Sequence, residues 1–190
     1  MTYGNRKALV GFLGQLDRRL GKDRPGHRTT IYLFGGAAAV VAYGAPRATM
    51  DLDVLVEEAG TQALLLEWGG PDSELARRYG LRLERANTTR MPIEAPDWRG
   101  RAVEVLKGEF PALKTMALGK VDLLLSKLAR YSDKDRADIE YLLENSDVDP
   151  SRLIRLFRSA RRFYAGDLRS LDITFNVVLK EHFNRGPLAF

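Results

Sequence analysis

Two aspartates separated by one residue, Asp51 and Asp53, come after a glycine pair, Gly35-Gly36, with Arg47-Ala48-Thr49 just ahead of the first acid. On a strand, residues i and i+2 point to the same face. Both carboxylates would then stand side by side, roughly 6–7 Å apart along the chain at about 3.3 Å rise per residue. Like charges held that close repel each other, and a divalent cation between them removes the repulsion. Hard carboxylate oxygens suit Mg²⁺ or Mn²⁺. Two glycines between a strand and a helix let the backbone come close to a phosphate, and the first N–H groups of the helix then point at the anion. Together these parts describe a site for a metal-bound triphosphate. Metal ions there would activate an attacking hydroxyl and neutralise a leaving pyrophosphate, and most of the catalysis would be positioning and charge stabilisation.

The elements that must hold these residues can be read from periodicity. Residues 29–34, β-branched and aromatic, predict a buried strand that Gly35-Gly36 ends. Residues 37–43 predict a helix of small residues, broken by Gly44, Ala45 and Pro46. Residues 50–56 alternate acid and apolar side chains and predict the strand that carries Asp51 and Asp53. Before them, Leu9, Phe12, Leu13, Leu16 and Leu20 form one apolar stripe on a helix over residues 5–20, followed by a loop at 21–28. After them come helices at 61–68 and 73–79 and short strands at 81–84, 91–94, 101–106 and 113–117. From Gly119 the pattern turns helical: 120–130, 133–145, 151–164 and 167–183, with Asp149-Pro150 as a helix start. The expected fold is α/β (α+β): a mixed sheet flanked by helices over residues 1–118, then a helical region over 119–190 packed on that core.

Composition narrows the function classes. The 190 residues include no cysteine, so disulfides and thiolate metal sites are excluded. No apolar run approaches the roughly 20 residues that cross a bilayer, and the first residues lack the apolar stretch of a signal peptide, so no membrane partner and a cytoplasmic location are expected. The formal net charge is +5. From Ser151 onward eight Lys and Arg face three acids, which is the whole excess. Arg155, Arg158 and Arg162 fall on one face of the helix at 151–164, away from Leu153, Leu156, Phe157, Ala160 and Tyr164. Such a face is either simply solvated or a wall for an RNA backbone, whose binding would weaken with salt. His27 and His182 have no partner at a metal-ligand spacing.

The segment from Leu33-Phe34-Gly35-Gly36-Ala37-Ala38 through Arg47-Ala48-Thr49-Met50-Asp51-Leu52-Asp53-Val54-Leu55-Val56 resembles the signature of the nucleotidyltransferase superfamily: Gly-Gly or Gly-Ser, a helix, then Asp-x-Asp/Glu on the next strand. The Arg-x-Thr ahead of the first acid is similar to small prokaryotic members, among them the nucleotidyltransferase-type toxins of toxin–antitoxin pairs. Asp122-Leu123-Leu124-Leu125-Ser126-Lys127-Leu128-Ala129-Arg130 and Lys134-Asp135-Arg136-Ala137-Asp138-Ile139 match the same group.

The resemblance implies a role for each position. Gly35 and Gly36 would lie under the triphosphate, with Arg47, Thr49 and Lys127 as further nucleotide-binding residues. Asp51 and Asp53 would hold Mg²⁺ or Mn²⁺. Asp135 would face the site or fix Lys127, and the two can converge only if the helices on either side of the turn at 131–133 fold back on each other. A third carboxylate would act as general base. Glu104 is the candidate, with Val103 and Val105 turned to the core, and Glu94 and Asp97 are rivals. The implied activity is Mg²⁺-dependent transfer of a nucleoside monophosphate from a nucleoside triphosphate to a hydroxyl of an RNA 3′ end, a protein or a small molecule, with release of pyrophosphate. The alternative is a weak or inactive relative that acts by binding a cognate protein, as in a toxin–antitoxin pair.

Overall fold

The computed structural model describes residues 4–93 and 97–190. The chain divides into two compact units, one taking the chain as far as Ala86 together with Ala102–Leu118, the other taking Asn87–Arg101 and Gly119–Phe190.

The first unit is a five-stranded mixed sheet with helices. It contains α1 (Arg6–Asp23), β1 (Thr29–Leu33), α2 (Gly35–Tyr43), β2 (Asp51–Val56), α3 (Ala59–Gly69), α4 (Glu74–Tyr79), β3 (Arg82–Arg85), β4 (Val103–Glu104) and β5 (Leu113–Ala117). The strand order is β3-β2-β1-β5-β4. β1 runs antiparallel to β2 and parallel to β5, β2 runs parallel to β3, and β4 runs antiparallel to β5.

The stripe of α1 is fully buried at all five expected positions. Asn5 caps this helix by accepting from Ala8 N at 2.9 Å. The helix continues to Asp23 rather than stopping at Leu20. Gly21 is tolerated inside it at a cost of about 1 kcal/mol against alanine, and the first true barrier is Pro25, which disfavours helical backbone at Arg24. A buried carboxylate also fastens α1: Asp17 Oδ1 accepts from Ala112 N at 2.8 Å and Leu113 N at 2.9 Å, at the entry to β5.

Two strands differ from expectation. The expected strand at 101–106 is only Val103–Glu104: Arg101 ends a short helix, α5 (Trp98–Arg101), and Leu106 has φ 54°, which extended pairing cannot accommodate. Val103 is 40% exposed rather than turned to the core. The expected strand at 91–94 is absent among the described residues: Thr88–Arg90 form a 3-10 turn and Met91–Ile93 pair with no strand. Its last residue, Glu94, lies outside the described residues.

The second unit holds α5, α6 (Lys120–Leu128), α7 (Asp133–Glu144), α8 (Pro150–Arg161) and α9 (Leu168–Phe183). Each of the last three begins at a side-chain cap, Ser132, Asp149 and Asp167. The Phe157 and Phe175 rings stack between α8 and α9, and Phe190 meets Phe157 edge-on at 4.9 Å. Asn176 holds the chain end by bonding both the N–H and the carbonyl of Leu188. Among the described residues, no helix is long and apolar enough to cross a membrane.

Candidate active site

The site is assembled where β1 ends and β2 begins. Phe34 N donates to Asp53 O at 2.9 Å, which locks the last residue before the glycine pair to the middle of β2. Helix α2 starts at Gly35, two residues earlier than expected, so both glycines lie in its first turn. Gly35 has φ +53°, and a β-carbon there would come 2.8 Å from Asp53 Oδ2. Gly36 carries the Arg47 guanidinium directly above it, with Thr49 Oγ1 3.0 Å from where a β-carbon would be. Both positions need glycine because the side chains of the second motif rest on the first. The N-cap residue Phe34 offers no side-chain cap, so the first N–H groups of α2 lack that acceptor.

Burial along β2 alternates strictly. Leu52, Val54 and Val56 are in the core, while Asp51 and Asp53 are half-buried on the opposite face. Thr49 Oγ1 donates to Asp51 O at 3.0 Å and fixes the entry to the strand. In the parallel register Asp51 faces Arg82 and Asp53 faces Glu84, which makes a two-by-two patch of charged side chains on one sheet face. Arg82 Nε lies 2.7 Å from Asp51 Oδ1 and 2.8 Å from Glu84 Oε1. The hydrogen bond to Glu84, and then the charge of Asp51, hold the Arg82 guanidinium above its ordinary value.

Can these residues hold a divalent cation? Asp51 Oδ1 is closed off from solvent, and its contact with Arg82 lacks hydrogen-bond alignment. Among the described residues, no three acid or histidine side chains stand together as a ready metal cage. The pair can therefore supply part of a coordination shell. That suits Mg²⁺, which usually takes one or two carboxylates and completes its shell with water and substrate phosphate.

The other expected residues lie elsewhere. Glu104 is on β4, at the opposite edge of the sheet from β3, and it registers with Met116. β1 and β5 stand between it and β2, so three strand spacings of about 4.8 Å separate them. The structure does not bring Glu104 to Asp51 and Asp53. The acid that does stand beside the pair is Glu84, in register with Asp53; it was not singled out from the sequence. A signal was present: Arg82-Leu83-Glu84 repeats the charged–apolar–charged alternation of Asp51-Leu52-Asp53. A strand–helix–strand crossover also commonly sets consecutive parallel strands side by side. Asp97 belongs to the second unit, just before α5.

Lys127 and Asp135 do converge, both within the second unit. Lys127 is 4% exposed, and its Nζ lies 2.5 Å from Asp138 Oδ2 and 3.4 Å from Asp135 Oδ1. Tyr131, with φ 47°, makes the reversal between α6 and α7. Asp135 also completes the capping box with Ser132 and accepts two bonds from Arg130. Burial alone would raise its pKa. The hydrogen bonds from Arg130 and Ser132, with the charges of Lys127 and Arg130, outweigh burial and hold the carboxyl well below the usual carboxylate range. So Asp135 fixes Lys127, and the ammonium has two carboxylate partners in its own unit.

A family model described as a nucleotidyltransferase of unknown function (DUF6036) matches residues 13–178. This chain belongs to that family. The match spans both motif regions, from within α1 to the last turns of α9. No curated protein matches the chain, and no solved structure does. In this nucleotidyltransferase-family protein the α8 arginines also come together: Arg155, Arg158 and Arg162 line one hollow of about 690 Å³ with Ser151 and Ser159.

Proposed function

We propose that this protein transfers a nucleoside monophosphate from a nucleoside triphosphate to a hydroxyl acceptor. The observation that carries the reading is the contact between the two motifs, with Asp53 resting on Gly35 and Arg47 on Gly36. The first N–H groups of α2 have no side-chain cap, and the positive end of a helix favours an anion; a triphosphate supplies that anion. Asp51 and Asp53 would hold Mg²⁺ or Mn²⁺, which when bound would neutralise charge on the triphosphate and the departing pyrophosphate. Glu84, in register with Asp53, would take the proton of the acceptor hydroxyl. The acceptor oxygen then bonds to the α-phosphorus, the bond from that phosphorus to the pyrophosphate oxygen breaks, and pyrophosphate leaves.

The acceptor class we favour is RNA, because Arg155, Arg158 and Arg162 line one hollow of the second unit and would bind its phosphates. Incubation with each α-labelled nucleoside triphosphate, Mg²⁺ and a mixed small-RNA pool tests the reading. Label that appears in RNA with wild type and not with Asp51→Asn supports it. Label on protein alone would move the acceptor to a polypeptide.

One observation favours a second reading, a weak or inactive relative that acts by binding a cognate protein. Arg82 already engages two of the three acids of the patch. Absence of transfer to any acceptor, together with retained metal-dependent nucleotide binding, would support it.

A further inference from the structure

Arg82 stands against Asp51, which the proposed activity needs for a metal, and against Glu84. Its Nε is within 2.8 Å of an oxygen of Glu84 and closer still to Asp51 Oδ1. The guanidinium therefore lies between Asp51 and Glu84, in space next to Asp51 that a metal ion could not share with it. It comes from β3, the same strand as Glu84 and two residues before it, so it is held at that position by the sheet register. Arg82 itself pairs with Asp51 across the two strands. Its side chain is 44% exposed, so a route out to solvent is open. Arg85 provides a contrast on the same strand. It is exposed, registers with Val54, and alternation turns it to the other face.

We propose that Arg82 is a resident cation of the carboxylate patch that a divalent metal must displace, so that it sets the metal affinity of the site. This rests on reading Asp51 and Asp53 as metal ligands. In the metal-free protein, Arg82 offsets the repulsion between Asp51 and Glu84 and stabilises the pairing of β2 with β3. When a metal binds, the guanidinium leaves Asp51, and its charge is then available to a phosphate oxygen of the nucleotide. Metal binding and the Arg82 contact exclude each other, so each weakens the other by the same factor.

The test is Mn²⁺ binding, measured by titration against the folded full-length protein without nucleotide. Wild type, Arg82→Gln, Arg85→Gln and Asp51→Asn/Asp53→Asn are compared, and thermal unfolding is followed with and without Mn²⁺. Arg82→Gln should bind Mn²⁺ about three- to tenfold tighter than wild type. Arg85→Gln, which removes the same charge from the same strand, should stay within about twofold. Without metal Arg82→Gln should unfold at a lower temperature than wild type, and saturating Mn²⁺ should recover most of the difference. Equal affinity in the Arg82 and Arg85 variants would overturn the displacement while leaving the metal site intact. No binding by folded Arg82→Gln, or binding that the double aspartate variant retains, would overturn the metal site itself and the inference with it.

Discussion

Glu84 stands opposite Asp53 across two hydrogen-bonded strands, one strand spacing of about 4.8 Å away. That is near enough for a base acting on a hydroxyl bound at the aspartates, and it gives the residue a separable role. Glu84→Gln should lower the transfer rate by about 10²–10⁴-fold and leave nucleotide affinity at saturating Mg²⁺ within about threefold, because the glycine turn and both aspartates are retained. Comparing turnover with equilibrium binding checks this, and equal losses in both would assign Glu84 to binding. Asp135 makes a different prediction. Its carboxyl is held below the ordinary value of about 4, so its contribution to stability is complete above that pH and is lost as pH falls below it. Asp135→Asn, which leaves buried Lys127 short of a partner, should cost about 2–4 kcal/mol at neutral pH. The gap between variant and wild type should close on the acid side, from about pH 4 downward. Urea unfolding at several pH values measures it, and a gap independent of pH would remove Asp135 from that role.

At the level of elements, most of what positions the site could be read from local pattern. The α1 stripe and the acid–apolar alternation of β2 each carry a period that only one element type satisfies, and the alanines of α2 favour a helix. Gly35, Gly36, Asp51 and Asp53 were visible for the same reason, since their meaning lies in types and short spacings. Glu84 was not, because its place beside Asp53 depends on which strand lies next to β2, and strand order is a non-local property. Glu104 is parted from Asp51 and Asp53 on that same point: it is an acid on a strand of the same sheet, at the edge away from β2. Asp17 is a further case. Inside the apolar stripe of α1 it looks like an ordinary helix-surface acid, yet it is buried and ties α1 to two N–H groups at the start of β5. Asp17→Ala should destabilise the protein by about 2–4 kcal/mol, since it leaves two buried donors unpaired. Chemical denaturation reads this directly, and a loss under about 1 kcal/mol would mean that water replaces the carboxylate.

Over the whole molecule, the excess positive charge sits after Ser151, with Arg155, Arg158 and Arg162 exposed along one hollow of α8. If that wall holds an RNA backbone, reversing all three to Glu should reduce RNA affinity by at least about tenfold. It should also flatten the dependence on salt, each lost phosphate contact lowering the slope by about 0.7–0.9. Nucleoside triphosphate binding should be unchanged. Filter binding of RNA across a salt series distinguishes this from misfolding, which would remove both. The proposed activity depends on the joining of Gly35-Gly36 to Asp51 and Asp53 as one metal–nucleotide site. Calorimetric titration of the four nucleoside triphosphates, with and without Mg²⁺, against wild type and Asp51→Ala/Asp53→Ala tests it most directly. The account predicts nucleotide binding that requires Mg²⁺ and disappears in the double variant. Folded wild-type protein that binds none of the four, or a double variant that binds as well as wild type, would contradict it.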